Sequence, residues 1–286
     1  MKLPKFTHGV SARFFGGAES PEAEKEELRP IPLRQDGFLR RGTKKTFSPK
    51  KIILDILFPI HCLSCRREGN WLCRECSQQI EILTSQVCPL CERVYTPAGL
   101  LCQSCRISAK SNLNALVVCA SYENQAVKNL IYKFKYNFIS ELATPLAGII
   151  TNALLKNELP LPDIVVPVPL HPRRLRWRGF NQSHLLAEKI SSDLAPLMKI
   201  RVLEILKRNK WNRPQMKIKN YKKRTENVKN IFHLESESPN LKNKTVLLVD
   251  DIATTGATLQ ECAKILKKNG AKKVFATVIA RQTLKK

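Results

Sequence analysis

The chain has 286 residues, enough for one α/β domain and a smaller one, and its 43% hydrophobic content is ordinary for a soluble globular protein. No apolar run approaches the roughly 20 residues of a membrane span, and no signal-peptide pattern is present, so we expect a cytoplasmic protein without a transmembrane segment. The net charge of +25 predicts a polyanionic partner, nucleic acid first and an anionic membrane surface second. A generally lysine-rich proteome would produce the same excess without any such partner.

The first 50 residues mix charged residues with Gly, Pro and Ser and show no hydrophobic period. This composition predicts a disordered basic extension over residues 1–50. Apolar residues then recur at steps of three and four over residues 52–58, which predicts a short amphipathic helix that ends before Pro59.

Eight of the ten cysteines fall in four C-x-x-C pairs, at Cys62/Cys65, Cys73/Cys76, Cys88/Cys91 and Cys102/Cys105. Two such pairs complete a tetrahedral Cys₄ site, so the eight thiolates fit two structural zinc ions. Pairing the units in sequence gives two small ribbons, and an interleaved pairing fits the spacing as well. Iron–sulfur clusters, free thiols and disulfides are the alternatives to zinc. We assign residues 51–110 to this cysteine-rich domain.

Apolar segments of strand and helix type alternate over residues 111–286. Strands are predicted at 116–120, 164–170, 246–249 and 272–280, and helices at 126–134, 142–155 and from about 183 to 197. This alternation predicts an α/β domain in which helices flank a parallel sheet.

The strand at 246–249 leads into the sequence D-D-I-A-T-T-G-A-T, with Asp250 and Asp251 at its expected end. A strand, a Gly/Thr turn and a helix N-terminus together form a site for an anion. Adjacent carboxylates can also accept hydrogen bonds from ribose hydroxyls and help to place Mg²⁺, so the pattern indicates a phosphosugar. The segment is neither a Walker A loop nor a dinucleotide fingerprint. An acidic strand end before an ordinary Thr-capped helix is the alternative.

Two basic segments accompany this motif. The first follows the strand at 164–170 and contains four arginines without an acid, which predicts a pyrophosphate-binding loop at Arg173, Arg174, Arg178, Asn181 and Gln182. The alternative is a solvated arginine loop. The second, residues 207–229, holds ten Lys and Arg against one Glu and predicts a single-stranded DNA track or a loop that closes over a phosphorylated substrate. Its candidate DNA contacts include Arg208, Lys210, Trp211, Lys222 and Arg224.

In this order the motifs resemble those of the ComF family, the amidophosphoribosyltransferase-like competence proteins. The resemblance rests on F-P-x-x-C-x-x-C from Phe58, P-V-P-L…R-G-F-N-Q over 167–182, the V-D-D-I-A-T-T-G-A-T segment, and R…Q…R…N…F at Arg208, Gln215, Arg224, Asn227 and Phe232. It implies a type I phosphoribosyltransferase fold behind a double zinc ribbon. It also implies a role in natural transformation, with single-stranded DNA and a DNA-uptake helicase or processing protein as partners.

The resemblance further implies that Asp250 and Asp251 hold the ribose hydroxyls of phosphoribosyl pyrophosphate (PRPP). The 5′-phosphate would be surrounded by Thr254, Thr255, Gly256, Ala257 and Thr258, and Ala253 also belongs to the PRPP-binding segment. Two functions remain open: a DNA-handling protein that binds PRPP, and a Mg²⁺-dependent transferase that moves phosphoribose to an unknown base or amine. In the transferase, Asp250, Asp251 and Arg178 would be catalytic. A PRPP-sensing regulator is a third class.

Overall fold

The computed structural model describes residues 59–108, 111–209, 228 and 230–282. The predicted basic extension and the helix predicted at 52–58 lie outside these ranges. Within them, no helix has the length and apolar character needed to cross a membrane.

A five-stranded sheet lies at the centre of the described chain, in the order β3-β9-β8-β4-β5, and all of its strand pairs are parallel. Its strands are β3 (Ala115–Ser121), β4 (Ile164–Pro167), β5 (Arg201–Val202), β8 (Thr245–Ala253) and β9 (Lys273–Arg281). The middle strands are continuous apolar runs because both faces of the sheet are covered by other elements.

Helices cover both faces of this sheet, as expected for an α/β domain. They are α3 (Gln125–Tyr136), α4 (Ala143–Lys156), α5 (Pro172–Arg178), α6 (Gln182–Leu194) and α7 (Ala257–Lys268), with a 3₁₀ turn at Ser140–Leu142. Buried residues of α3, α4 and α6 form one core with Leu247 and Phe275, and α7 packs on the opposite face against Val246 and Leu248. The alternation of adjacent β8 residues between the two cores follows from the period of two in a strand. The predicted sheet flanked by helices is confirmed.

Five strands differ from the sequence expectations. β8 does not end at the acidic pair but continues to Ala253, because β9 pairs with it as far as Ala253↔Arg281. β4 ends at Pro167 rather than continuing to residue 170. The antiparallel pair β6 (Leu206–Arg208) and β7 (Phe232–Leu234), together with β5, was not predicted because these strands are only two or three residues long.

The cysteine-rich segment, residues 59–108, contains α1 (Arg74–Gln78), β1 (Gln86–Val87), β2 (Tyr95–Thr96), a 3₁₀ turn at Pro97–Gly99 and α2 (Gln103–Ile107). β1 and β2 form a small antiparallel pair.

The cysteine-rich segment is bonded to the outer strand β3. The Leu83 N–H donates to the carbonyl of Cys119 at 2.9 Å, and the Gln86 side chain bonds both the N–H and the carbonyl of Val118 at 3.0 Å. Gly99 approaches the same strand so closely that a Cβ atom there would lie 2.1 Å from the carbonyl oxygen of Leu116. A side chain at position 99 would therefore force the two segments apart.

Candidate functional site

The eight paired cysteines form two clusters. The Sγ atoms of Cys62, Cys65, Cys73 and Cys76 lie within 4.8 Å of one another, and so do those of Cys88, Cys91, Cys102 and Cys105. The C-x-x-C units are therefore paired in sequence rather than interleaved. Two of the sulfur–sulfur distances are 3.6 Å and 3.9 Å. Tetrahedral bonds of about 2.3 Å to zinc place sulfurs about 3.8 Å apart, so the clusters fit this metal.

Backbone N–H groups lower the pKa of one thiol in each cluster and so favour the thiolate form, which binds a metal. Burial disfavours ionisation of Cys62, but the N–H groups around it, including that of Cys73, outweigh burial and lower its pKa to about 6. The pKa of Cys88 falls to about 6 for the same reasons. Hydrogen bonding to Cys102 together with burial raises the pKa of Cys105 to about 12. Four thiols this close together cannot all ionise unless a cation between them offsets the repulsion.

We expect the purified protein to carry two zinc ions per chain, because each cluster supplies a complete ligand set. Replacing Cys73 and Cys76 by Ser should remove one ion, and replacing Cys102 and Cys105 should remove the other. Metal content measured by mass spectrometry tests this expectation. Iron in place of zinc, or loss of both ions from either variant, would contradict it.

The predicted acidic pair lies in the last part of β8. Asp250 Oδ1 accepts hydrogen bonds from Ser183 Oγ at 3.0 Å and from the N–H of Asp251 at 2.9 Å. Asp251 Oδ1 accepts from the N–H of Ile252 and lies 2.9 Å from Lys135 Nζ. All four contacts are made by Oδ1, so these contacts leave the Oδ2 atoms of both carboxylates for a ligand.

The acidic pair is held in an environment that disfavours two negative charges. Burial raises the pKa of Asp250 to about 7, and the neighbouring Asp251 adds to the effect, while Lys135 and the two hydrogen bonds oppose it. Buried carboxyl groups with raised pKa values are characteristic of functional sites, because folding alone would favour a neutral residue there.

The loop after β8 and the start of α7 form a small cavity lined by Asp250 and residues 252–259. Gly256 turns the chain with φ +70° at the N-cap position of α7 and has no side chain with which to cap the helix. Thr255 Oγ1 accepts from the N–H of Ala257 at 3.3 Å. The N-terminus of a helix attracts an anion through its dipole and its N–H groups. We refer to Asp250, Asp251 and residues 253–258 as the cradle.

The arginine-rich segment is a short helix, α5, and not the predicted loop. His171 Nδ1 accepts from the N–H of Arg173 at 3.1 Å, Pro172 occupies the first turn, and Gly179 ends the helix with φ +79°. These start and stop signals are sufficient for two turns of helix. The helix buries Arg178 and leaves Arg173 exposed.

Two guanidinium groups, those of Arg174 and Arg208, interact with the acidic pair, and Arg178 lies next to Arg174. Burial lowers the pKa values of Arg174 and Arg208, and each is lowered further by a neighbouring arginine, Arg178 for the first and Arg174 for the second. The negative charge of Asp251 raises the pKa of Arg174, and that of Asp250 raises the pKa of Arg208. The Nε atoms of Arg178 and Arg208 are buried without a hydrogen-bond acceptor among the described residues. Arginine side chains this close together, with buried N–H groups that lack an acceptor among the described residues, indicate a site for an anion.

The other predicted residues of the arginine segment have contacts within the fold. Asn181 caps α6 by accepting from the N–H of Ser183 at 3.1 Å and donates to the carbonyl of Val168. Gln182 is buried and accepts from Arg178 Nη1 at 2.9 Å. Arg208 lies on β6, with its guanidinium 5.6 Å from the Phe232 ring. The remaining DNA candidates lie outside the described residues: Lys210, Trp211, Gln215, Lys222, Arg224 and Asn227.

Four further residues contact the site and were not predicted from the sequence: Lys135, Ser183, Glu92 and Arg281. Arg281, at the end of β9, donates from Nε to the Thr254 carbonyl at 3.1 Å and from Nη2 to Glu92 at 2.6 Å. Glu92 follows Cys91, a residue of the second cysteine cluster. One buried arginine therefore connects that cluster to the cradle. No local sequence signal marks these residues, because their partners are distant in the chain.

Two family models match the chain. Residues 181–286 match the phosphoribosyl transferase domain and residues 53–110 match the double zinc ribbon domain. The first contains the cradle and Arg281, and the second contains both cysteine clusters.

Curated relatives match both parts together. The chain is 30% identical to Competence protein F of Haemophilus influenzae, over 78% of this chain and 98% of the relative. It is 32% identical to DNA utilization protein YhgH of Escherichia coli, over 77% and 96% of the two chains. Competence protein ComFC of Bacillus subtilis is 26% identical over 70% and 79%. The chain therefore belongs to the ComF family of competence and DNA utilization proteins, in which a phosphoribosyltransferase-like domain follows a double zinc ribbon.

Proposed function

We propose that this protein binds PRPP with Mg²⁺ in the cradle and serves DNA utilization by handling single-stranded DNA, with zinc in both cysteine clusters. The observation that carries the proposal is the meeting, at the end of β8, of a carboxylate pair, the N-terminus of α7 and the guanidinium groups of Arg174 and Arg208, with Arg178 next to Arg174. A phosphorylated sugar presents hydroxyls and phosphates and so satisfies all three.

Each part of the site has a distinct role in this proposal. The Oδ2 atoms of Asp250 and Asp251 would accept the ribose hydroxyls, and residues 254–258 would surround the 5′-phosphate. Arg174 and Arg178 would bind the pyrophosphate, where guanidinium forks match phosphate oxygens. Mg²⁺, an oxygen-seeking cation, would neutralise pyrophosphate charge when bound.

The DNA part of the proposal is supported by the relatives and by charge. Two of the relatives are named as competence proteins and one as a DNA utilization protein. The net charge of +25 provides the attraction that any protein needs to bind a phosphate backbone. A DNA-uptake helicase or processing protein would be the source or the recipient of the strand.

A metabolic phosphoribosyltransferase is the second candidate, and the buried Nε of Arg178 is the observation that favours it. A buried guanidinium beside the cradle would stabilise negative charge on departing pyrophosphate. Asp250, Asp251 and Arg178 would then contribute to transfer to a base or amine as well as to binding.

Two titrations on the zinc-loaded protein test the proposal. Calorimetry with PRPP should show binding that requires Mg²⁺ and exceeds the binding of ribose 5-phosphate. Fluorescence anisotropy should show that a labelled single-stranded oligonucleotide binds at near-physiological salt and dissociates steeply as salt is raised. Absence of PRPP binding would refute the cradle assignment. PRPP binding without DNA binding would favour the metabolic transferase, which release of pyrophosphate in the presence of candidate acceptors would detect.

A further inference from the structure

Four aromatic side chains form a cluster on the surface beside the cradle. Tyr132 and Tyr136 lie on the last turns of α3, Phe138 follows that helix, and Trp177 lies on α5. The Phe138 and Trp177 rings meet edge to face at 5.1 Å and 89°, and the Tyr136 ring lies 6.4 Å from Trp177. Tyr132 and Trp177 are each 58% exposed, and Phe138 is 39% exposed. We refer to these four residues as the aromatic platform.

The backbone holds this platform in place at some cost in stability. Phe138 follows the C-cap of α3 with φ +57°, a left-handed conformation that side chains other than Asn and Gly rarely adopt. A bulky apolar residue in that conformation is unfavourable, and so is its exposure to water. The left-handed turn itself ends α3, as Glu158 with φ +51° ends α4, whereas a ring as large as that of Phe138, 39% exposed at this position, offers apolar surface that a ligand could cover.

Positive charge surrounds the platform. Arg173 and Arg176 are exposed on α5, and Lys133 lies on α3 next to Tyr132. Neither α3 nor α5 contains an acidic residue. The surface therefore combines aromatic faces with cations, and this combination fits a polyanion that carries flat rings.

The platform is continuous with the cradle through Arg178. The guanidinium carbon of Arg178 lies 5.6 Å from the centre of the Tyr136 ring and 5.9 Å from the centre of the Trp177 ring. Lys135, the residue before Tyr136 on α3, lies 2.9 Å from Asp251 of the cradle. A ligand on the platform would therefore lie next to whatever occupies the cradle.

We infer that the aromatic platform binds single-stranded nucleic acid, with bases stacked on Trp177 and Phe138 and adjacent phosphates paired with Arg173 and Arg176. This inference rests on the DNA part of the proposed function and assigns a surface to it. A duplex is excluded as the main ligand because its base faces are already stacked on one another. Stacking on aromatic rings tolerates any sequence, so we expect little preference among bases of similar stacking strength.

The test compares platform variants with a matched control in the zinc-loaded full chain. Trp177→Ala should weaken binding of a labelled oligothymidine about tenfold, since loss of one stacked base costs that order of affinity. Trp177→Phe should recover most of the loss. Tyr95→Ala, the matched control, removes a ring that is 73% exposed in the cysteine-rich segment and should leave the affinity for the oligothymidine unchanged.

Salt dependence separates stacking from charge. Arg176→Ala should reduce the slope of log affinity against log salt by about one, whereas Trp177→Ala should leave that slope unchanged. PRPP binding, measured by calorimetry, should persist in all of these variants.

Two results would overturn the inference. Equal DNA affinity of Trp177→Ala and the wild type would show that DNA binds elsewhere, while the proposed function would survive. A wild-type protein that binds anionic phosphatidylglycerol vesicles through Trp177, and no oligonucleotide, would assign the platform to a membrane surface and refute the DNA part of the proposed function as well.

Discussion

Asp250→Asn is expected to stabilise the protein at neutral pH and, at the same time, to weaken binding of Mg²⁺–PRPP at least tenfold. Burial and the adjacent Asp251 raise the pKa of Asp250 to about 7, so its charge opposes folding at neutral pH. An asparagine Oδ1 can still accept from Ser183 and from the N–H of residue 251, but it carries no charge. It would therefore preserve the contacts of the fold and lose those with ribose hydroxyls and Mg²⁺.

The pH dependence of this gain follows from linkage. The ordinary pKa of an aspartate is 3.8, and that of folded Asp250 is about 7. Between these values the folded protein keeps a proton that the unfolded chain has lost, so the group's contribution to stability falls as the pH rises and is lost above about 7. Among the described residues, the charged or titratable groups that interact with Asp250 include Asp251, Lys135 of α3, Arg208 of β6 and Cys262 of α7.

Chemical denaturation of zinc-loaded wild type and variant at pH 5 and pH 8 measures the effect. We expect a gain on the order of 2 kcal/mol at pH 8 and a smaller gain at pH 5. Glu123→Gln, which neutralises an 84% exposed carboxylate paired with Lys128, is the control and should show no such pH-dependent gain. A variant less stable than wild type at both pH values would refute the argument, and unchanged PRPP affinity would refute the role of Asp250 in the cradle.

Arg281→Met is expected to lower PRPP affinity about tenfold without removing either zinc ion. The Arg281 side chain is 8% exposed and holds the Thr254 carbonyl and the Glu92 carboxylate together. Without Arg281 the loop after β8 loses a fixed contact, so part of the free energy of PRPP binding must offset the entropy lost when that loop becomes ordered. Glu92→Gln should have a smaller effect, because the amide oxygen can still accept from Arg281.

Calorimetry on Arg281→Met, with metal content measured in parallel, checks this prediction. Arg201→Met, which replaces an exposed arginine on β5, is the matched control. The connection through Glu92 also predicts that losing the second zinc, by replacing Cys102 and Cys105, weakens PRPP binding more than losing the first. Equal affinity of Arg281→Met and wild type would show that the cradle holds its shape without the cysteine-rich segment.

The parts of the candidate site whose local structure follows from the sequence are those encoded within short stretches. The double acid and the Gly/Thr turn lie in nine consecutive residues, 250–258, and a buried strand followed by an amphipathic helix fixes where they meet. The C-x-x-C units are equally local, but their pairing depends on the path of the chain between them, so the sequence left it open.

The remaining contacts arise from topology. Ser183 reaches Asp250 across 67 residues, and Arg281 reaches Glu92 across 189. No periodicity or spacing connects such pairs, because only the strand order brings them together. The arginine segment shows a different limit: its composition indicated anion binding, but the helix formed between His171 and Gly179 decides that Arg178 is buried and that Arg176 and Trp177 face outward.

The bonds between the cysteine-rich segment and β3 have a consequence for solubility. β3 is the first strand in the sheet order, and a parallel sheet with an open apolar edge invites pairing with another molecule. Gln86 blocks this, because its side-chain amide occupies both the N–H and the carbonyl of Val118 in place of a neighbouring peptide group. Leu83 and Leu101 engage β3 and the residue before it, at Cys119 and Asn114. The cysteine-rich segment thus prevents β3 from pairing with a strand of another molecule. A chain shortened to begin at residue 111 would expose the β3 edge of the sheet.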